Sequence, residues 1–259
     1  MKNSSPKISG VIITFNEEKN IARCLKSLNE ICDEIIVVDS FSTDKTKSIC
    51  ESFNVRFIEH PFEGHIQQKN YALSQANNDL VLSLDADEAL STELQKSIKK
   101  SLPVWNGEAL EFNRFTNYCG KWIKHCGWYP DRKVRLWNKN SGHWGGTNPH
   151  DSVELNDGIK VSHLSGDILH YSYYTLEEHI TRSNSYAKIA AKAMRDQGKP
   201  SSYSKIIFSS SFRFFRDYFL KSGFKDGFYG FIICAINGHT TFLKYTYLKQ
   251  LNLGNKIDE

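Results

Sequence analysis

The stretch LVLSLDADE at residues 80–88 joins an apolar run to three acidic side chains. A short apolar run bounded by polar residues predicts a buried strand over residues 80–85. Asp85 and Asp87 lie two positions apart at its end, so both carboxylates can lean toward one cation. Carboxylate oxygens are ligands that suit Mg²⁺ or Mn²⁺. The alternative is an acidic helix start, because Ser91 follows closely and serine is a common N-cap residue.

Three more apolar runs precede this stretch and alternate with helical patterns. The predicted strands are residues 8–14, 34–39, 55–59 and 80–85, and the predicted helices are residues 21–28, 43–52, 66–75 and 92–102. This alternation predicts an α/β domain with a mostly parallel sheet and right-handed crossovers. Ligands of such sheets bind beyond the carboxyl ends of the strands. We therefore expect Thr14, Asp39 and Asp85 on one rim of the sheet.

Polar side chains around this rim are candidates for nucleotide binding. Thr14, Asn16 and Glu17 offer a hydroxyl, an amide and a carboxylate suited to a nucleobase or ribose, unless Asn16 only caps the next helix. Asp39 can accept a hydrogen bond from a uracil N–H or a ribose hydroxyl. Lys69 would meet diphosphate charge if its helix faces the rim, and would otherwise be solvated. Neither GxGxxG nor GxxxxGK[ST] is present, which excludes the dinucleotide fingerprint and the P-loop.

The pattern changes after Pro103. Strands are predicted at residues 109–117 and 133–138, and a helix at residues 175–197. Residues 181–259 hold 13 Lys and Arg against 5 Asp and Glu, and aromatic side chains are interleaved with them. Such a region suits an interfacial helix on anionic lipid. The open alternative is a helix pair that packs on the catalytic domain or on a second subunit, and several glycines argue against one unbroken helix.

Length and composition set the remaining limits. The chain has 259 residues, of which 40% are apolar, enough to bury one sizeable core, and its net charge of +4 is too small for bulk nucleic-acid binding. We divide it into a catalytic domain, residues 1–178, and an aromatic and basic helical extension, residues 179–259. The six cysteines form no CxxC pair, which disfavours a zinc ribbon or a thioredoxin motif. No signal peptide or spanning segment is evident, so we expect a cytoplasmic protein, peripheral on the inner face of the cytoplasmic membrane.

Four motifs in order resemble the family-2 glycosyltransferases of the GT-A fold. They are ITFNEEKNI, IIVVDSFSTDKT, QQKNYAL and LSLDADE, and the resemblance covers roughly residues 8–175. Three later segments resemble the lipopolysaccharide-core β-1,4-glucosyltransferase-like branch, namely GWYPDRKVRL, NPHD and LHYSY. That branch has a His-Glu or similar acidic pair where this chain has His150-Asp151. The QxxRW motif of processive synthases is absent, so the resemblance implies transfer of a single sugar.

The resemblance implies an activity and a set of site residues. It implies inverting transfer of one sugar, expected to be glucose, from a UDP-sugar to a cell-surface or lipid-linked glycan of the lipopolysaccharide-core type, with Mn²⁺ or Mg²⁺ as cofactor. The residues implied around the donor are Thr14, Asn16, Glu17, Asp39, Lys69, Asp85 and Ala86. Asp85 and Asp87 are the implied metal ligands. His170 is a candidate third ligand, with a structural histidine as the alternative.

Two carboxylates compete for the role of general base. Asp151 lies in a predicted Gly- and Pro-rich loop, where a sugar can approach the backbone, and His150 could hold it in place. Asp131 precedes a strand and could instead pair with Arg132 or Arg135, so we favour Asp151. We expect the two arginines on the same side of that strand, where they could clamp a diphosphate.

Two other functions remain open at this point. A nucleotidyltransferase also uses paired carboxylates on an α/β sheet, but it usually carries a Gly-rich triphosphate loop after the first strand. A catalytically degenerate glycan-binding protein would need no acidic pair, and Asp85 and Asp87 speak against it. Trp122, Trp128 and Trp144, in predicted loops, are candidates for stacking on sugar rings, with core packing as the alternative for some of them.

Overall fold

The computed structural model describes residues 5–147 and 150–257. Asn148 and Pro149 of the NPHD segment lie outside the described residues, and so does the side chain of His150. The expected role of His150 in holding Asp151 therefore stays a prediction. The chain divides into two compact units. The first comprises Met1–Phe115 and Asp131–Tyr171, and the second comprises Thr116–Pro130 and Ser172–Glu259. The division at residues 178 and 179 stays a prediction.

Most strands belong to one mixed sheet. The strands are β1 Ile8–Thr14, β2 Glu34–Asp39, β3 Arg56–Glu59, β4 Leu80–Asp85, β5 Glu88–Leu90, β6 Ala109–Tyr118, β7 Lys121–Trp122, β8 Asp131–Asn138, β9 Gly142–Thr147, β10 His150–Leu155 and β11 Val161–Tyr173. Their order is β3-β2-β1-β4-β8-β6-β11-β5, with β7 paired to β6. The segment β3-β2-β1-β4 is parallel, whereas β8 runs antiparallel to β4 and β6. The expected α/β architecture is confirmed.

Four helices accompany the parallel strands. They are α1 Ile21–Asn29, α2 Thr46–Glu51, α3 His65–Ser74 and α4 Thr92–Ser101. Ile12, Leu25 and Leu84 are fully buried in one apolar cluster, and Val11 and Ala72 belong to a second cluster. Alternate residues of β1 thus point to opposite faces of the sheet, each covered by an apolar cluster, as expected for a parallel sheet.

The helix predicted at residues 43–52 is shorter than expected. Ser42 and Thr43 do not cap it, because their hydroxyl and N–H groups bind the loop after β1. Asp44 instead accepts from the Thr46 N–H at 2.9 Å and sets the start of α2. Ser91 does cap α4, accepting from the Leu94 N–H, and it follows the short strand β5, which begins with Glu88.

The Gly- and Pro-rich loop expected around Asp151 is a β-hairpin. Strands β9 and β10 pair antiparallel, and Asp151 lies opposite Gly146. Trp144 is 3% exposed and stands edge-on to Trp137 at 5.9 Å between ring centroids. For Trp144 the expected stacking on a sugar ring is therefore wrong, since this ring fills the core; for Trp122 and Trp128 it stays a prediction.

The second unit is largely helical. It contains α5 Leu176–Asp196, α6 Tyr203–Phe215, a π-helical turn Arg216–Leu220, a 3₁₀ turn Gly223–Asp226 and α7 Gly227–Asn252. A capping box of Thr175 and Glu178 starts α5 where the sequence predicts it. Gly230 lies inside α7, where any Cβ would meet the carbonyl oxygen of Gly223. None of the described helices combines the length and hydropathy needed to span a bilayer.

Candidate active site

The sheet brings the expected rim residues together. Thr14 is the register partner of Asp39, and its neighbour Ile13 is the partner of Asp85. Asp39 is buried and accepts from the Ser42 N–H at 2.7 Å and the Ser42 hydroxyl at 2.5 Å. The Thr14 hydroxyl is buried and has no hydrogen-bond partner among the described residues. It therefore remains available to a ligand at this edge.

Asn16 organises the loop after β1. Its backbone is left-handed, with φ 54°. Its N–H donates to the Ser42 hydroxyl at 2.8 Å, and its Oδ1 accepts from the Thr43 N–H at 2.8 Å. Helix α1 begins after Asn20, so Asn16 does not cap it, and the capped-turn alternative is wrong. Asn16 instead ties the loops after β1 and β2 together, and its contact with a nucleotide stays a prediction, as does that of Glu17.

Lys69 lies between two of the expected acidic residues. Its ammonium is 2.8 Å from Asp85 Oδ1 and 2.7 Å from Asp151 Oδ2, and its side chain is only 6% exposed. The same nitrogen lies 4.3 Å from the centre of the Trp144 ring. Lys69 thus faces the rim and is not solvated, which decides between the two interpretations of the sequence. It joins Asp85, a candidate for donor binding, and Asp151, a candidate base, in one cluster.

Arg135 forms the second cation of this cluster. Its Nη2 lies 3.1 Å from Asp85 Oδ2 and 2.8 Å from Glu88 Oε1. Its Nε and Nη1 are buried and have no partner among the described residues. Burial by itself would raise the pKa of Asp85, but Lys69 and Arg135 outweigh burial and hold that pKa well below its usual value. Asp85 is therefore ionised, and Arg135 keeps N–H donors for an additional anion.

Glu88 is a site residue that the sequence analysis missed. Its side chain is fully buried, and its Oε2 accepts the Asp85 N–H at 3.0 Å. Arg114, also missed, approaches Glu88 Oε1 at 3.6 Å. The available signal was that Glu88 is the third acid of the LDADE run. A buried carboxylate needs cationic partners, and Glu88 finds them on other strands. Ala86 lies in the same turn and is 4% exposed.

Asp131 is held by cations other than those expected. Arg114 contacts its Oδ2 at 2.7 Å and Lys133 contacts its Oδ1 at 3.1 Å. Burial tends to raise the pKa of Asp131, but Arg114 and Lys133 lower it overall. The proposed pairing with Arg132 or Arg135 is wrong. One partner, Arg114, lies on the neighbouring strand β6, and the other, Lys133, lies two residues further along β8, where side chains point to the same face as Asp131.

Arg132 and Arg135 do not share a face of β8. Arg132 is 57% exposed and contacts Glu111 at 3.1 Å, whereas Arg135 is 3% exposed in the acidic cluster. The expectation of a common face is wrong, because residues three apart in a strand point to opposite sides. Arg135 alone lies beside the donor candidates.

Asp87 meets the candidate metal ligand His170. Asp87 Oδ2 and His170 Nε2 are 3.2 Å apart, and Asp87 O accepts the Tyr171 N–H at 2.9 Å. This contact follows from the pairing of β5 with β11, in which His170 lies opposite Glu88. Within residues 5–147 and 150–257, no three His, Cys, Asp or Glu side chains are grouped to hold a metal ion. The Asp85 carboxylate instead forms ion pairs with Lys69 and Arg135.

A bidentate contact fixes the hairpin that carries Asp151. Asn70 Nδ2 donates to Trp144 O at 2.7 Å, and its Oδ1 accepts the Trp144 N–H at 2.9 Å. Asn70 follows Lys69 in α3, so one helix supplies both the anchor and the cation. The Asn70 amide thus satisfies both backbone groups of Trp144, as a neighbouring strand would, and it fixes the hairpin near Lys69.

Comparisons with known proteins identify related glycosyltransferases. The profile of glycosyl transferase family 2 matches residues 9–101. An uncharacterized glycosyltransferase of Rickettsia typhi is 34% identical over 96% of this chain and 89% of its own length. The lipopolysaccharide core biosynthesis glycosyltransferase LpsC of Rhizobium meliloti is 29% identical over 91% of this chain and 89% of its own length.

A comparison with solved structures gives only a weak likeness. S. aureus TarS 1-349 in complex with UDP-GlcNAc is 16% identical, with a TM-score of 0.47 over 97% of this chain and 93% of that one. The family assignment therefore rests on the sequence relatives, which span nearly the whole chain. The predicted family is confirmed. The chain belongs to the family-2 glycosyltransferases.

Proposed function

We propose that this glycosyltransferase moves one sugar, with inversion, from a UDP-sugar to a glycan of the lipopolysaccharide-core type. The observation that carries the proposal is the bridge from Lys69 to Asp85 and Asp151. It joins a donor-side carboxylate at the strand rim to a carboxylate on a hairpin. An inverting transfer needs both a donor site and a base in one cleft.

The donor side is built from buried groups with unused hydrogen-bonding capacity. The Thr14 hydroxyl and the Arg135 Nε and Nη1 have no partner within the described chain. Lys69 and Arg135 bring two positive charges to the rim, where they would contact the diphosphate. Asp39 would accept from the uracil or ribose. We expect UDP-glucose as the donor, by resemblance to the branch named above.

Asp87 and His170 are the residues that would hold the divalent cation. A carboxylate and an imidazole at 3.2 Å fit the donor set of Mn²⁺ or Mg²⁺ in part, and diphosphate oxygens would add to it. When bound, the metal would neutralise charge on the leaving diphosphate. Asp85 would join them only if Lys69 and Arg135 turned toward the diphosphate.

Asp151 is the proposed general base. It is 14% exposed, and the Lys69 ammonium at 2.7 Å holds its position. It would take the proton of the acceptor hydroxyl as that oxygen attacks the anomeric carbon from the face opposite the diphosphate. A single displacement inverts the anomeric configuration. Asp131 has two cationic partners and a lowered pKa, so it is the weaker base candidate.

The proposed acceptor is linked to lipid, so the reaction would take place at a membrane. The relative LpsC is named for lipopolysaccharide core biosynthesis, and a core glycan is attached to lipid. We therefore propose that the chain works at the inner face of the cytoplasmic membrane and attaches there peripherally.

A nucleotide-sugar screen tests the proposal. Thermal shift with UDP-glucose, UDP-GlcNAc, GDP-mannose and UTP, each with and without Mn²⁺, should show stabilisation by a UDP-sugar that is larger with Mn²⁺. Arg135→Lys should weaken that shift, whereas the exposed Arg132→Lys serves as the matched control. Metal-dependent stabilisation by a nucleoside triphosphate, with none by any UDP-sugar, would instead indicate a nucleotidyltransferase.

A further inference from the structure

The helix α6 and the π-helical turn after it carry an exposed aromatic stripe. Phe208, Phe212, Phe215 and Phe219 are 73%, 58%, 48% and 50% exposed. Their spacings of four, three and four residues place them on one face of a helix. A helix of a soluble domain usually buries such a face, and contiguous apolar patches mark interaction sites. None of the described residues therefore covers this face.

Helix α7 repeats the pattern. Phe228, Phe231 and Phe242 are 71%, 46% and 41% exposed and recur at helical spacing. The two helices pack on each other, with the Phe214 and Phe231 ring centroids 6.0 Å apart. We call the seven exposed side chains of both helices the phenylalanine surface: Phe208, Phe212, Phe215, Phe219, Phe228, Phe231 and Phe242.

The exposed charges of residues 200–257, the segment that carries the phenylalanine surface, have one sign among the described residues. Residues 200–257 contain eight Lys and Arg and two acids, Asp217 and Asp226. Both acids are buried. Asp217 binds Arg213 and Arg216 at 2.5 and 2.9 Å, and Asp226 binds His125 at 3.0 Å. No exposed acid lies among the described residues of this segment, whereas Lys205, Lys221, Lys225 and Lys256 are exposed.

We propose that the phenylalanine surface docks on an anionic lipid bilayer, with the phenyl rings in the headgroup region and the lysines over lipid phosphates. Aromatic bodies beside basic side chains are the composition of an interfacial element. A second copy of the chain is a poorer occupant, because face-to-face association would bring two cationic surfaces together. The proposal deepens the proposed function, since it supplies the contact with the membrane that holds a lipid-linked acceptor.

The test is vesicle co-sedimentation of the full chain. Vesicles of phosphatidylcholine alone are compared with vesicles that also contain phosphatidylglycerol, at low and high salt. We expect binding to the anionic vesicles that weakens as salt rises, because surface attraction is screened. The double substitution Phe208→Ser with Phe212→Ser should weaken binding by at least about tenfold, because it removes two apolar side chains from the lipid contact. Phe62→Ser, at a site 52% exposed in the other unit, is the matched control.

Two controls make the outcome decisive. Both Phe208 and Phe212 are exposed, so their replacement should leave the unfolding temperature and UDP-sugar binding in solution unchanged. Failure of membrane docking is thereby separated from failure of the proposed activity. Equal binding to neutral and anionic vesicles, or none to either, overturns the proposal. A dimer in sedimentation velocity that the double substitution converts to monomer would assign the surface to a second copy.

Discussion

Replacing Asp151 by asparagine separates the base from the donor site. The variant keeps the shape of the side chain but cannot take a proton. Loss of a general base typically costs about 10²–10⁴-fold in turnover, or about 3–5 kcal/mol of transition-state stabilisation. Donor affinity should hardly change, because the base acts on the acceptor hydroxyl.

The structure also predicts that this variant folds. Lys69 keeps Asp85 at 2.8 Å when Asp151 loses its charge, so no buried cation is left unpaired. We therefore expect a stability loss below about 2 kcal/mol, less than the 3–5 kcal/mol of a broken buried pair. Urea unfolding checks this value before any activity is compared.

The assay measures kcat for sugar transfer together with UDP-sugar affinity by calorimetry. Asp131→Asn is the matched control, since Asp131 is also a rim carboxylate with cationic partners. A large fall in kcat for Asp151→Asn, with little change in the dissociation constant, supports the assignment. If instead Asp131→Asn lost turnover and Asp151→Asn kept it, the base would be Asp131 and the reasoning from the hairpin would be refuted.

Three further predictions concern the cation, a helix contact and pH. Asp87→Asn should lower Mn²⁺ affinity at least about tenfold in a titration with UDP present; unchanged affinity would exclude Asp87 as a ligand. Gly230→Ala should cost about 1–3 kcal/mol in urea unfolding, because its Cβ meets a backbone carbonyl, whereas Gly238→Ala, with its nearest atom 3.3 Å away, should cost less. Burial lowers the pKa of His179 to about 4, below its unfolded value of about 6.5. The unfolded chain therefore binds this proton first, and stability should fall by up to about 3 kcal/mol as pH drops from 6.5 to 4, at 1.36 kcal/mol per pH unit. His179→Gln should flatten that part of the stability curve, and an unchanged slope would point to other groups.

The sequence by itself determined the parallel strands and the rim. Short apolar runs such as residues 8–14 and 80–85 must be buried on both faces, and they occur between helical patterns. Once parallel, β1, β2 and β4 necessarily end at one edge. That is why Thr14, Asp39 and Asp85 could be placed together without coordinates. The motifs at those strand ends also sufficed to indicate the family.

The tertiary structure alone decided which charges pair. Lys69 joins Asp85 and Asp151, 16 and 82 residues away, and Arg114 reaches Glu88 from another strand. A charged side chain has no local periodic signal for its partner, because ion pairing depends on distance in space and not along the chain. The side of β8 that each arginine occupies could be inferred from strand alternation, and our expectation missed it.

The hairpin of β9 and β10 also shows a difference between what local sequence predicts and what tertiary packing decides. Glycines and a proline at residues 145–151 predict a loop from local propensity. The segment pairs with itself because Trp144 is buried against Trp137 and held by Asn70. Burial of a large ring and a bidentate amide contact outweigh a local preference worth less than about 1 kcal/mol per residue. Local sequence therefore set the strands and their ends, whereas long-range packing set the hairpin, the ion pairs and the position of Asp151.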